Sequence, residues 1–519
     1  MEDPRIRASS GSTLQAKSEG AQDAVSVAAV GSNEPLVVDG KVVLREEDAF
    51  DKTAYAWSPR RKWIMLTIVA ICQTSMNFNA AIYSNAVEGI NKEFGVHNAR
   101  HGMVAFLVAY AFGCELWAPW SEELGRYGIM QTSLILVNAS ILICARSTSF
   151  PMMIGGRVLG GLSSAGGSVT LGMVADMFST DDQQPAVLWA SLWSCLGAVI
   201  GGICGGPLEQ YAPWRWIFYA QLVFGLITQV LHASIARESR STLLLDRDAR
   251  RQRKLGVDVW GPNEVRTVRE RWDPRRIFTT MYRPYHMLAT EPIVFLLSLL
   301  SGFADMLIFM FFESYGYVFE RWGFTPTQRS YALIALALSY VLSYLSFFPV
   351  IKRHNARRRS GETLAPETRL WWLLFQCVLL PIGLLGGAFA AAGPPLHWSG
   401  FIVFSCCIGA ANFAIYYATV DYMVAAYGEY SASATGGNGF ARDFLAGLCA
   451  IYTGPMYRAL GVRNSMLVLF GFGFLFCIPV FVFYLRGPAI RKRSKFAQKI
   501  ARDREDRDLN MAAAANATS

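Results

Sequence analysis

Apolar residues in this chain gather into runs of about 20, parted by polar stretches, and a helix of that length crosses roughly 30 Å of hydrocarbon. The runs predict twelve spans, at 63–87, 101–121, 129–146, 150–175, 187–207, 214–236, 289–314, 331–351, 371–391, 398–420, 436–456 and 464–485. Six spans, a long polar segment and six more make two halves. A helix satisfies its own backbone polar groups, as hydrocarbon demands, so the pattern predicts an all-α membrane protein. Five regions are expected: a disordered tail over 1–62, a six-helix bundle over 63–236, a central loop over 237–288, a second bundle over 289–485 and a basic tail over 486–519.

Composition agrees. Hydrophobic residues make up 53% of the chain and charged residues 17%, below the roughly 25% of soluble domains. The net charge of +9 does not point to nucleic acid, because Lys and Arg sit in the connections. The 237–287 loop holds thirteen Lys/Arg against seven Asp/Glu. Further basic residues cluster at Arg60 to Lys62, at Lys352 to Arg369 and after Arg491. With an even number of spans all of these share one side, and the basic bias assigns that side, with both termini, to the cytoplasm. The sequons at Asn138 and Asn516 are then unusable, one within a span and one in the cytoplasmic tail.

All ten cysteines fall inside predicted spans and read as packing thiols. No Cys/His spacing suggests a metal, and no phosphate loop of the G-x-x-x-x-G-K-[ST] type supports nucleotide binding. No catalytic constellation stands out. No enzyme activity and no cofactor are expected; the expected partners are a small-molecule substrate, protons and the lipid bilayer, with the chain acting as a monomer.

Polar residues inside apolar spans carry the functional signal. Asp305 stands near the middle of span 7, where a carboxylate is costly when ionised. It is a candidate proton carrier or contact for a cationic substrate group; the alternative is a neutral acid bonded to a nearby helix. Arg157 in span 4 must face a partner, a wet cavity or, by snorkelling, the outer interface. Arg442 and Asp443 open predicted span 11 and can pair locally, or Arg442 can reach a cavity. Glu115, Asn79, Asn412, Tyr416 and Trp193 are further pocket candidates, each equally readable as helix packing. Between spans 2 and 3, Glu122, Gly125 and Arg126 suit a tight turn whose charges pair or cap helix ends. Gly197, Gly201 and Gly205 leave one face of span 5 bare, flanked by Gly206 and Pro207, so a neighbouring helix can approach closely.

Taken in order, several motifs resemble the major facilitator superfamily, and within it the fungal drug:proton antiporter family with twelve spans, the branch of polyamine, azole and organic-acid exporters. The resemblance covers roughly residues 60 to 500. It rests on Ala118-Pro119 with Ser121-Glu122 and Gly125-Arg126, on Arg157-Val158-Leu159-Gly160-Gly161, and on Trp214-Arg215-Trp216-Ile217-Phe218. Glu238-Ser239-Arg240, Pro366-Glu367-Thr368-Arg369-Leu370 and Tyr430-Ser431-Ala432-Ser433-Ala434 add to it. Two departures stand out: Ala198 and Gly202 occupy positions where the family's antiporter signature carries Pro after glycine, and Asp305 replaces a commonly aromatic residue. The resemblance implies two six-helix bundles around a mid-membrane site and export of a secondary metabolite, organic acid or drug across the plasma membrane by proton antiport. Broad multidrug or polyamine efflux is one alternative. A non-transporting receptor, favoured only by the long acidic tail, is another.

Overall fold

The computed structural model describes residues 36–38, 40–46, 49–179, 182–362, 364–494, 496 and 498. The Asn516 sequon and the first 35 residues of the expected tail lie outside them. Span 1 is Pro59–Ile82, extended through Tyr83–Ala86 into Val87–Phe94. Spans 2 and 3 are His101–Glu123 and Arg126–Ala145. Spans 5 and 6 are Gln183–Tyr211 and Arg215–Ile235. In the second half, span 7 is Pro292–Phe319, span 8 is Pro326–Arg359 and span 10 is Ser399–Tyr427. Span 9 comes in two pieces, Leu373–Gln376 and Leu379–Ala390.

Among the described residues ten helices are long and apolar enough to cross a membrane; the other two crossings are hidden by a break and a fusion. Span 4, expected as one helix, is split into Phe150–Ser163 and Gly166–Met177. Backbone groups freed inside hydrocarbon need partners, and neighbouring spans supply them. Ser133 Oγ donates to the Ser163 carbonyl at 2.7 Å and accepts from the Ala165 N–H at 3.0 Å. The Trp117 indole N–H donates to the Leu162 carbonyl at 2.8 Å. Spans 11 and 12, expected as separate helices, form one continuous element, Ser431–Arg491, interrupted at Gly461 with φ 73° and ψ 162°. Only glycine adopts that conformation readily. Ser465 Oγ donates to the Met456 carbonyl at 3.3 Å, whereas nine residues of straight helix would part them by about 13 Å, so the chain folds back into a hairpin there.

The halves meet where span 5 packs on span 8 and span 2 on span 11. Span 5 reaches both sides through two glycine faces. A Cβ on Gly197 would lie 2.7 Å from the Thr74 carbonyl and one on Gly201 2.9 Å from that of Phe78, both in span 1. Gly205 continues this face against Asn85. The other face points across the interface: a Cβ on Gly202 would meet Leu333 at 2.7 Å, and one on Gly206 the Pro326 carbonyl at 2.7 Å. Pro207 sits inside the helix one residue on.

The tail differs from the disorder expected of it. Leu36–Val38 (β1) and Lys41–Val43 (β2) form an antiparallel hairpin, and β2 pairs in parallel with Val259–Trp260 (β3) of the central loop. Lys41 and Arg253 stand over the Trp260 ring at 4.0 and 4.4 Å. Arg253 and Arg250 also grip Glu264 at 2.7 and 2.8 Å, and hydrogen bonds from Arg253 hold that carboxyl down to about 2. Tyr55 OH then donates to the Ala175 carbonyl of span 4 at 2.6 Å. At the other end of the chain, Arg491 pairs with Glu367 at 2.8 Å. Both ends of the described chain thus share one side with the central loop, here called the loop side.

Gly197→Leu should overpack the contact with span 1 and cost about 1–3 kcal/mol, read as a lower unfolding temperature of the detergent-purified protein. Gly128→Leu, where an added Cβ meets nothing within 4 Å, is the control; equal melting of the two variants would count against the close-approach role.

Candidate functional site

Asp305 lies thirteen residues into span 7, about 20 Å along the helix from its loop-side start. Arg442 lies eleven residues past Ser431, about 17 Å along its own helix, so the two meet at similar depth. This corrects the expectation that Arg442 opens span 11: the polar and small residues before it are already helical. Arg442 Nε and Nη2 donate to Asp443 Oδ1 at 3.2 and 3.1 Å. Asp305 Oδ2 stands 4.0 Å from Nε, with about 24% of its side chain accessible. Among the described residues no hydrogen bond reaches Asp305. The guanidinium also lies 4.5 Å from the Tyr416 ring centre.

From this cluster a polar chain runs into the first half. Tyr416 OH donates to Ser194 Oγ at 3.4 Å. Ser194 Oγ also accepts from Asn77 at 2.9 Å and from Gln73 at 3.5 Å, and Gln73 reaches Tyr110 OH at 3.2 Å. Glu115 is buried at its edge, where a Cβ on Gly436 would come within 2.6 Å of the carboxylate. Spans 1, 2 and 5 thereby join spans 7, 10 and 11 around one mid-membrane site. Gln73, Tyr110 and Ser194 were missed in the sequence, although Gln73 is a polar residue inside an apolar run.

The remaining candidates lie elsewhere. Arg157 is buried and does not snorkel. Its guanidinium donates to Asn79 Oδ1 at 2.6 Å and to the Gly102 carbonyl at 3.1 Å. The rings of Tyr83 and Phe106 lie 4.5 and 4.2 Å away. Arg157 and Asn79 therefore form a closed unit inside the first half. Asn412 accepts from Tyr340 OH at 3.1 Å within the second half. Trp193 packs edge-on against Trp189, which faces Tyr344 across the halves at 6.1 Å. Its buried indole N–H has no partner among the described residues.

Two sets of contacts flank the site. On the loop side Asp421 of span 10 accepts from Gln184 of span 5 at 2.7 Å and pairs with Arg369. Phe112 of span 2 meets Phe440 of span 11 at 5.1 Å. In the turn after span 2, Arg126 pairs with Asp176 at 3.1 Å, not with Glu122. Glu238 caps the start of span 3, accepting from the Arg126 N–H at 3.0 Å beside Gly125. Glu123 rather than Glu122 binds the central loop, through Arg266 at 3.3 Å and Arg271 at 3.5 Å. On the opposite side a cavity of about 390 Å³ lies between the halves, with Phe309 and Phe312 in its wall one and two turns beyond Asp305. Arg100 of the first half pairs there with Glu313 of the second at 2.6 Å, and Arg329 of the second with Glu209 of the first at 3.6 Å. The interface is thus sealed by packing on the loop side and held by two exchanged ion pairs around a cavity on the other.

The sequence profile of the Major Facilitator Superfamily matches residues 69–449, nearly three quarters of the chain. The chain belongs to the major facilitator superfamily. This major facilitator protein is 28% identical over 448 residues to the transporter paaT of Penicillium rubens, covering 85% of this chain and 81% of paaT. It is 26% identical over 451 residues to the efflux pump FUBT of Fusarium oxysporum, covering 85% and 75% of the two chains. Among solved structures, the proton:xylose symporter XylE superposes with a TM-score of 0.56 at 14% identity, covering 82% of this chain and 97% of XylE; at that identity it shows the fold alone.

In a variant of this major facilitator protein keeping only Cys449, which lines the cavity, Glu209→Gln with Glu313→Gln removes both exchanged ion pairs. A membrane-impermeant maleimide added on the side opposite the loops should then label Cys449 severalfold faster. An unchanged rate would show that the pairs do not hold the mouth.

Proposed function

We propose that this protein exports a small organic molecule across the plasma membrane by proton antiport, with Asp305 as the proton-carrying group and the loop side facing the cytoplasm. The observation that carries this reading is the state of Asp305: half-buried at mid-membrane depth, without a hydrogen bond among the described residues and 4.0 Å from a guanidinium that Asp443 already engages. A carboxylate so placed binds a proton or a cationic group readily, and each excludes the other. In the conformation described, the cavity lies on the side from which the coupling proton would enter.

The same geometry favours a neutral or cationic substrate over an organic acid. Of the two intramembrane arginines, Arg157 is saturated by Asn79, a carbonyl and two rings, and Arg442 is covered by Asp443. Neither guanidinium has an open face for an acid, whereas the Asp305 carboxylate is held only by the 4.0 Å approach of Arg442 and accepts no hydrogen bond among the described residues. The names of relatives such as the efflux pump FUBT support the outward direction. One proton moving down about 100 mV supplies about 2.3 kcal/mol, enough to concentrate a neutral solute roughly fiftyfold. On this reading the chain acts as a monomer and carries its substrate chemically unaltered.

Metabolite profiles of a deletion strain and its complemented parent should identify the substrate as the compound retained inside the deletion strain. With that compound in membrane vesicles, Asp305→Asn should abolish accumulation driven by an imposed pH gradient while expression stays normal, and Asp305→Glu should retain part of it. Wild-type accumulation by the Asn variant would make Asp305 structural.

A further inference from the structure

The loop-side end of span 12 carries two cavities that share a wall. The first is an apolar groove of about 710 Å³ on the membrane-facing surface between spans 9 and 12, lined by residues from Pro381 and Ile382 to Phe474 and Ile478. From Phe470 to Arg486 it follows about 24 Å of helix, enough for an extended acyl chain. The second is a cleft of about 770 Å³ at the level where the helix leaves the apolar zone, bounded by His286 and Thr290 of the helix Pro274–Thr290 and by Arg486 and Arg493. Val482 and Arg486 belong to both.

The charges in the cleft are unbalanced. Arg486 and Arg493 are exposed and form no ion pair among the described residues. Glu291 lines the cleft as well, buried and turned to Tyr427 OH, from which it accepts at 3.2 Å, so two arginines stand against one acid there; Glu367 close by is held at both oxygens by Arg491 at 2.8 and 2.9 Å. The helix Pro274–Thr290 beside the cleft exposes Phe278 and Tyr282 and carries Arg275 and Arg283. An apolar groove of acyl length that ends in two guanidinium groups without an ion pair among the described residues complements one molecule.

We propose that this two-part site binds an anionic glycerophospholipid of the loop-side leaflet, its phosphate between Arg486 and Arg493 and one acyl chain in the groove between spans 9 and 12. Arginine suits the phosphate because its fork donates two parallel hydrogen bonds. The site is separate from the central cluster and does not depend on the substrate or on the coupling ion.

The test is native mass spectrometry of the detergent-purified full chain, incubated with phosphatidylserine or phosphatidylcholine of identical acyl chains. Wild type should retain phosphatidylserine over phosphatidylcholine by about twenty-five-fold, two basic side chains each contributing roughly fivefold. Arg486→Gln with Arg493→Gln should remove the preference. Ile382→Trp, which fills the groove without changing charge, should lower retention of both lipids. Equal retention of the two lipids by wild type, or a preference that survives the double variant, overturns the proposal. Displacement of phosphatidylserine by soluble glycerol phosphate at equal concentration would also overturn it, since the site would then bind phosphate without the chain.

Discussion

Charge placed inside hydrocarbon has to be neutralised locally or reach water, and the centre of this protein is arranged around that requirement. A cation at the middle of a span costs roughly 2.5–3.5 kcal/mol on insertion scales. Arg442 meets the cost with Asp443 beside it, Asp305 across the gap and the Tyr416 ring beneath. These groups come from spans 7, 10 and 11, and the hydrogen-bonded chain through Ser194 and Gln73 ties them to the first half. Arg157 meets the same requirement without a carboxylate, through carbonyl oxygens, Asn79 and two aromatic faces. The contrast separates a closed structural cation from one whose partner stays partly open.

Around this centre the halves are joined differently at the two ends. The loop-side seal combines aromatic packing with the buried Asp421 contacts, so separating it exposes apolar surface and strands a carboxylate. The opposite end relies on half-exposed ion pairs, which are individually weak and hydrate easily. Span 5 lies along both: Gly197 and Gly201 bring its backbone against that of span 1, while the Leu333 and Ser330 side chains of span 8 seat in the notches left by Gly202 and Gly206.

Much of the architecture was legible because hydrocarbon thickness fixes span length; hence the succession of runs and the two halves followed from the apolar pattern. The break in span 4 was not legible, because Ser133 and Trp117, from other spans, stabilise it. The depth of Arg442 was not legible because Ser431 to Thr435 has loop-like composition yet already forms the first turn of the helix. Asp305 was readable as an anomaly, since a lone acid in an apolar run stands out in one dimension; its relation to Arg442 is set by packing and has no one-dimensional trace. Near the loop side the turn was legible but its partners were not: Arg126 finds Asp176 fifty residues away, and Glu123, which carried no expectation, holds the central loop. The hairpin of β1 and β2 escaped notice because three-residue strands leave almost no pattern, and its partner β3 lies more than 200 residues further along the chain.

The corner at Gly461 leaves spans 11 and 12 without slack. Helix continues on both sides of a single non-helical residue, and the Ser465 to Met456 bond closes the fork. Two stiff rods joined in this way have little freedom to tilt independently. One rod carries Arg442 at the centre of the protein, and the other presents its flank to lipid. A spectroscopic probe on the lipid-facing flank of span 12 would therefore follow the tilt of Arg442 from outside the transport path, leaving every residue of the path unaltered.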